Sequence, residues 1–250
     1  MTIVVVENGD IRMQVAGRKL AELGYDILEV KPDAIPPMGE CLLLPIPSRQ
    51  YLNGDFSAYP IIAGAALPAQ FVSHYTNGGC RVIDLIAHPA FVEENARLTA
   101  EAAISLGMEV TGRSYLAREV GIIGFGRIAK ALARYLLALG AYVRVYARRE
   151  EAREEAREMG ASPLPLEALS NLRSPFLFNT VPAPLLNASI TADWTGGVVV
   201  ELASGENMHL PAPVRLVDGK SLPGRRLPVS AGELLAHTLT SILTAKDSTL

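Results

Sequence analysis

Residues 119–149, EVGIIGFGRIAKALARYLLALGAYVRVYARR, read in order as a strand, a tight turn, a helix and a second strand. Residues 120–123 are a short apolar run of the kind that suits a parallel strand buried on both faces. Directly after it comes Gly124-Phe125-Gly126-Arg127-Ile128-Ala129, with the spacing GxGxxA. At Gly124 the chain must turn sharply from strand to helix, and at Gly126 the missing side chain leaves room for a pyrophosphate at the helix N-terminus. There the unpaired N–H groups of the first turn, those of Arg127 and Ile128 among them, and the positive end of the helix dipole favour phosphate. Ala129 is small enough for close packing on the sheet. Ile128, Leu132, Leu136 and Leu139 recur at helical spacing, and Gly140 ends the helix.

The second strand, 142–147, brings its end to the adenosine ribose about 20 residues beyond the glycines, where an NAD site places Asp or Glu on the ribose 2′-hydroxyl. Arg148 and Arg149 stand there instead. A guanidinium binds a 2′-phosphate through charge-assisted bonds, whereas a carboxylate would repel it, so the stretch reads as a site for NADP. The competing reading, in which the arginines merely begin a charged helix over 148–158, does not account for the order and spacing of all four elements.

The 250 residues are 49% hydrophobic and 20% charged, with a formal net charge of −3, which fits two modest α/β domains each burying its own core. Mild acidity without a Lys/Arg run argues against nucleic acid and anionic membrane as partners. No apolar stretch reaches the roughly 18 residues of a membrane span, and the N-terminus lacks a basic start and a small-residue cleavage site, so a cytoplasmic location is expected. Cys41 and Cys80 stand far apart without a CxxC pair or a His/Cys cluster, which predicts two reduced thiols and no zinc.

Outward from the central stretch, strands and helices alternate as in parallel βαβ units. Strands are predicted at 2–6, 26–30, 41–44, 59–64 and 81–85, with helices at 11–23 and 68–77. A long helical pattern covers 91–106, and after the nucleotide stretch come strands at 176–179, 197–202 and 214–217 and a last helix opened by Pro228. The expected architecture is α/β, with two Rossmann-like domains of parallel strands joined by two long hinge helices. Residues 1–88 together with a C-terminal helix at about 230–250 would form the substrate domain. Residues 89–229, including a linking helix over 91–107, would form the NADP-binding domain, and the substrate cleft is expected between the two.

The chain resembles the dipicolinate synthase family nearly end to end, in the A-type component of that enzyme. The resemblance rests on Gly9-Asp10-Ile11-Arg12, Leu44-Pro45-Ile46-Pro47, Asn95 with Thr99-Ala100-Glu101, the stretch 124–129, Ala147-Arg148-Arg149, Glu158-Met159-Gly160, Asn179-Thr180-Val181-Pro182-Ala183, Leu202-Ala203-Ser204, Leu222-Pro223-Gly224, Pro228 and Ala231-Gly232. It implies an NADP-linked oxidoreductase of bacterial sporulation that forms dipicolinate from a cyclic dihydro or hydroxy-tetrahydro precursor together with a flavoprotein partner, the B-type component, and a homo-oligomer is expected. The chain departs from the family at Leu98 and Ala102, where proline and glycine are usual, and at Lys220-Ser221 and Val229, where Pro-Gly and Lys are usual. Arg225 and Arg226 replace apolar residues, either as carboxylate binders in place of the missing lysine or as solvent-facing charges.

The candidate substrate contacts are Arg12, placed after the first strand to clamp a dicarboxylate, Asn95 and Thr99, four apart on one helix face, and Arg225. Glu101, six residues from Asn95, projects elsewhere. Beside Gly124, Gly126, Arg127, Ile128, Arg148 and Arg149, the cofactor contacts are expected to include Asn179, Thr180, Val181 and Pro182 at the nicotinamide ribose, and Ala203 and Ser204 after the next strand, with Glu201 retaining a carboxylate nearby. His74 and His88 stand near strand ends, yet no Ser-His-Asp or His-Glu constellation can be assembled, which disfavours hydrolysis and leaves the catalytic base unassigned. Two other readings stay open: a D-2-hydroxy-acid dehydrogenase relative, although its catalytic histidine and arginine are not found where it requires them, and an NADP-binding regulatory protein with reduced catalysis.

Overall fold

The structure, a computed structural model, describes residues 1–245 except 173, 188–189, 191–193, 195, 204–209 and 211–213. Its elements run β1 (Thr2–Val6), α1 (Ile11–Glu22), β2 (Asp26–Val30), β3 (Cys41–Leu43), β4 (Ile61–Gly64), α2 (Ala69–Asn77), β5 (Arg81–Asp84), α3 (Pro89–Thr111), β6 (Glu119–Ile123), α4 (Arg127–Ala138), β7 (Tyr142–Tyr146), α5 (Glu150–Glu158), β8 (Ser162–Leu164), β9 (Phe176–Asn179), β10 (Val198–Glu201) and β11 (Arg215–Asp218), followed by a short helix Leu222–Arg226 and a C-terminal helix Pro228–Thr244. The chain divides into two compact units, Met1–Asn95 with Pro223–Leu250, and Ala96–Leu222. One division falls inside α3 and the other at the start of the short helix.

The first unit holds a five-stranded sheet in the order β2-β1-β3-β4-β5, parallel throughout. Strand β1 is apolar on both faces because both are covered. Ile3 and Val5 join Met13, Leu20, Leu43, Leu235 and Leu239 in one core, while Val4 and Val6 join Leu42, Leu44, Phe56, Tyr59 and Tyr75 in the other. The C-terminal helix lies on α1, and Gly232 makes the approach possible: a Cβ there would stand 2.6 Å from the Arg12 carbonyl oxygen and 2.7 Å from Val15 Cβ.

The second unit is a six-stranded parallel sheet in the order β11-β10-β9-β6-β7-β8. Counted from β6, this is the doubly wound order 3-2-1-4-5-6. Its core gathers Ile123, Tyr146, Leu177, Val199 and Trp194, whose indole N–H donates to the Ser174 carbonyl at 2.8 Å. Two parallel α/β units of Rossmann type are therefore what the sequence encodes.

Several boundaries differ from the sequence reading for local reasons. Helix α3 begins at Pro89 and continues to Thr111, since a proline at the first helical position gives up only an N–H that has no intrahelical partner. Strand β5 stops at Asp84, whose carboxylate caps the single helical turn Leu85–Ala87 by accepting the Ile86 N–H at 3.3 Å and also accepts from the N–H groups of Ala66 at 3.1 Å and Leu67 at 3.2 Å. The charged helix α5 begins at Glu150 with Arg149 as its cap, so the two arginines precede it. Strand β8 has no counterpart in the sequence reading. It is short and contains Pro163, which a strand pairing on one side only can accommodate. Both cysteines are buried and free, and burial pushes the Cys41 thiol up to about 12.

Candidate functional site

In a doubly wound sheet the ligand crevice opens at the carboxyl ends of the strands where the winding reverses, here between β6 and β9. Gly124, the first residue beyond β6, has φ +92°, and its N–H donates to the Tyr146 carbonyl at 2.9 Å. A Cβ on it would lie 2.6 Å from Thr180 Oγ1 and 2.7 Å from Val181 Cγ2, so glycine is required by backbone and by space alike. Thr180 is fastened there from the β9 side: its N–H and its hydroxyl both donate to the Ile123 carbonyl, at 3.1 and 2.7 Å. The glycine turn and the Thr180-Val181 turn are thus one joined rim, with Pro182 exposed beyond it.

Gly126 caps α4 in an extended conformation, and a Cβ on it would meet nothing within 4 Å. Gly126 and Arg127 are exposed and Ile128 is half-buried, while Ala129, Leu132 and Leu136 bury the opposite face of the helix. Leu139, read as part of that apolar stripe, is instead the exposed C-cap. The first-turn N–H groups of α4 therefore point to open space at the positive end of its dipole. Bare backbone, free donors and room for phosphate fit a dinucleotide, and these residues would hold its pyrophosphate.

At the end of β7, Arg148 and Arg149 are exposed and stand between strand and helix. A third arginine, which the sequence reading does not single out, secures this turn. The Arg153 Nη1 donates to the carbonyls of Ala147 and Arg148, each at 2.9 Å, and its Nη2 pairs with the Glu150 carboxylate. Only the recurrence of arginine after Ala147-Arg148-Arg149 could have pointed to it.

Asn179 and Glu201 are cross-strand partners at the ends of β9 and β10, and both are buried. The Asn179 Nδ2 donates to both Glu201 oxygens, at 3.0 and 2.8 Å, and to the Val181 carbonyl at 3.1 Å, while its Oδ1 accepts the Val181 N–H at 3.2 Å. Glu201 also accepts the Ala203 N–H at 2.8 Å. The Asn179 amide is thus turned inward, toward Glu201 and Val181, and the pair shapes the two turns that carry Val181 and Ala203. Ser204 lies outside the described residues.

In the first unit Arg12 does not present an open clamp. Its Nε donates to the Asp10 carboxylate at 2.9 Å, its Nη2 to the same group at 2.5 Å and to the Ile46 carbonyl at 2.7 Å, and the guanidinium lies against Gly224. Asp10 is held in turn by capping α1 through the Arg12 N–H at 2.9 Å. Arg225 sits exposed in the short helix beside that glycine. On α3, Asn95 is half-buried, Thr99 buried and Glu101 exposed. The His74 ring packs edge-on to Tyr75 at 4.8 Å, and the buried Nδ1 of His88 has no hydrogen-bond partner among the described residues. Among the described residues no cluster of three His, Cys, Asp or Glu side chains could hold a metal, and no helix is long and apolar enough to cross a membrane.

Residues 87–190 match the family described as D-isomer specific 2-hydroxyacid dehydrogenase, NAD binding domain. The A-type component of dipicolinate synthase from Bacillus subtilis (strain 168) is 29% identical over 157 residues, 60% of this chain and 53% of that protein, so the match spans about half the length of the curated relative. In the solved structure of the same component from Bacillus halodurans the fold recurs with a TM-score of 0.79 at 21% identity over 97% of each chain. The solved structure of the Bacillus subtilis dipicolinate synthase component gives 0.75 at 22% identity over 97% of this chain and 95% of its own. The likeness read in the sequence is borne out: the chain is similar to the A-type component of dipicolinate synthase, and part of its second unit matches the NAD-binding domain model of the 2-hydroxyacid dehydrogenases.

Proposed function

We propose that this chain is an NADP-dependent oxidoreductase that acts on a small cyclic dicarboxylate, as its relatives named for dipicolinate synthesis suggest, and that it works with a flavoprotein partner. The observation that carries the cofactor choice is the pair Arg148 and Arg149, exposed at the end of β7 where an NAD site would hold an acid. A 2′-phosphate placed there would meet two guanidinium groups, and the pyrophosphate would rest on the first turn of α4.

When bound, the nicotinamide supplies the hydride acceptor. The chain's own residues have positioning work. The Thr180-Val181 turn and the Ala203 turn, set by the Asn179–Glu201 pair, would flank the nicotinamide ribose. Arg12 would meet a substrate carboxylate only through its Nη1 edge or by exchanging Asp10 for it, since its Nε and Nη2 are already paired. For a dihydro precursor, aromatisation takes one hydride to the cofactor and one proton to a base or water.

Turnover with the cyclic precursor and NADP, with and without the flavoprotein, tests this reading. Formation of NADPH at 340 nm in step with ring aromatisation is the expected result. Tight NADPH binding without turnover in either mixture would identify a regulatory protein instead.

A further inference from the structure

Three arginines and two glutamates crowd the turn from β7 into α5, and they are not equivalent. Arg148 and Arg149 are exposed, whereas the Arg153 side chain is 18% exposed and folded back over the turn. Its Nη1 draws together two successive carbonyls, of Ala147 and Arg148, each at 2.9 Å. The same guanidinium pairs through Nη2 with Glu150, a carboxylate 59% exposed and one residue beyond Arg149. Left alone, Glu150 would be an acid beside the strand end, which is the feature that favours a ribose 2′-hydroxyl and repels a 2′-phosphate.

We infer that Arg153 is a specificity-determining residue of the nucleotide site, one that need not touch the cofactor. It fixes the backbone from which Arg148 and Arg149 project, and it pairs with Glu150, the acid directly after Arg149, which unpaired would turn the site toward NAD. The inference rests on the reading of Arg148 and Arg149 as 2′-phosphate ligands and assigns a separate residue to the same discrimination. A planar guanidinium is needed, because one ammonium point charge cannot span both carbonyls and the carboxylate in fixed geometry.

The ratio of NADH to NADPH dissociation constants, measured by calorimetry on the full chain, separates this role from simple stabilisation of α5. Arg153→Ala is expected to lower the preference for NADPH by about tenfold, the scale of a lost charge-assisted contact, while leaving NADH affinity within about twofold. Glu150→Gln/Arg153→Ala should recover part of the preference, since it removes the uncovered acid, and Arg153→Lys should fall between wild type and alanine. If Arg153→Ala weakens both nucleotides equally, or lowers only the melting temperature, Arg153 is a helix-stabilising residue and the inference fails. If the wild-type protein itself shows no preference for NADPH, the reading of Arg148 and Arg149 fails first.

Discussion

Asn179 and Glu201 are 22 residues apart and meet only because β9 and β10 are in register, which buries a carboxylate between an asparagine amide and a backbone N–H. Removing one member leaves the other with unmet hydrogen bonds in a dry place. Glu201→Ala should therefore lower unfolding stability by about 2–3 kcal/mol in urea titrations, and wild-type stability would contradict the assigned bonds. Gly124→Ala combines a left-handed backbone with a collision against Thr180, so nucleotide binding should be lost and stability should fall by about 1–3 kcal/mol. At this scale the sequence disclosed Gly124, Gly126 and the two arginines, because local spacing carries their meaning. It could not disclose that Asn179 faces inward or that Arg12 is held by Asp10 and Ile46, because those partners are set by strand pairing and by loops distant in sequence.

Elements whose burial follows a simple period were legible: β1, β6 and β9 as apolar runs, α4 by its repeating leucines and alanines. Strand β8 was not, since three residues with a central proline carry no period and are recruited by pairing to β7. The C-terminal helix was legible as a helix, but the closeness of its approach to α1 is visible only in the absence of a side chain at Gly232. Gly232→Leu would force the two helices apart. A loss of about 1–3 kcal/mol, read as a lower melting temperature with the far-ultraviolet spectrum retained, is the expected outcome; unchanged stability would mean the helices do not pack as closely as described.

For the molecule as a whole, two sheets of parallel strands were foreseeable from alternating strands and helices, and so was the grouping of the C-terminal helix with the first unit, while the order of the strands within each sheet depends on tertiary packing. Burial also sets an alkaline limit. The Cys41 thiol titrates near 9.0 when the chain is unfolded and is pushed up to about 12 when folded, so the unfolded state releases its proton first. The stability contributed by Cys41 burial is present in full below pH 9 and is lost as pH rises toward 12. Melting temperatures measured from pH 8 upward should decline less steeply in Cys41→Ala than in wild type; parallel curves would show that Cys41 does not contribute.

The proposed dinucleotide crevice lies at the β6–β9 switch point, and its β7 end is proposed to prefer phosphate to hydroxyl. Calorimetric titration of the wild-type chain with NADPH and with NADH tests that directly. NADPH should bind at least about tenfold more tightly, with the advantage removed in Arg148→Ala or Arg149→Ala; equal affinities, unchanged in those variants, would contradict it.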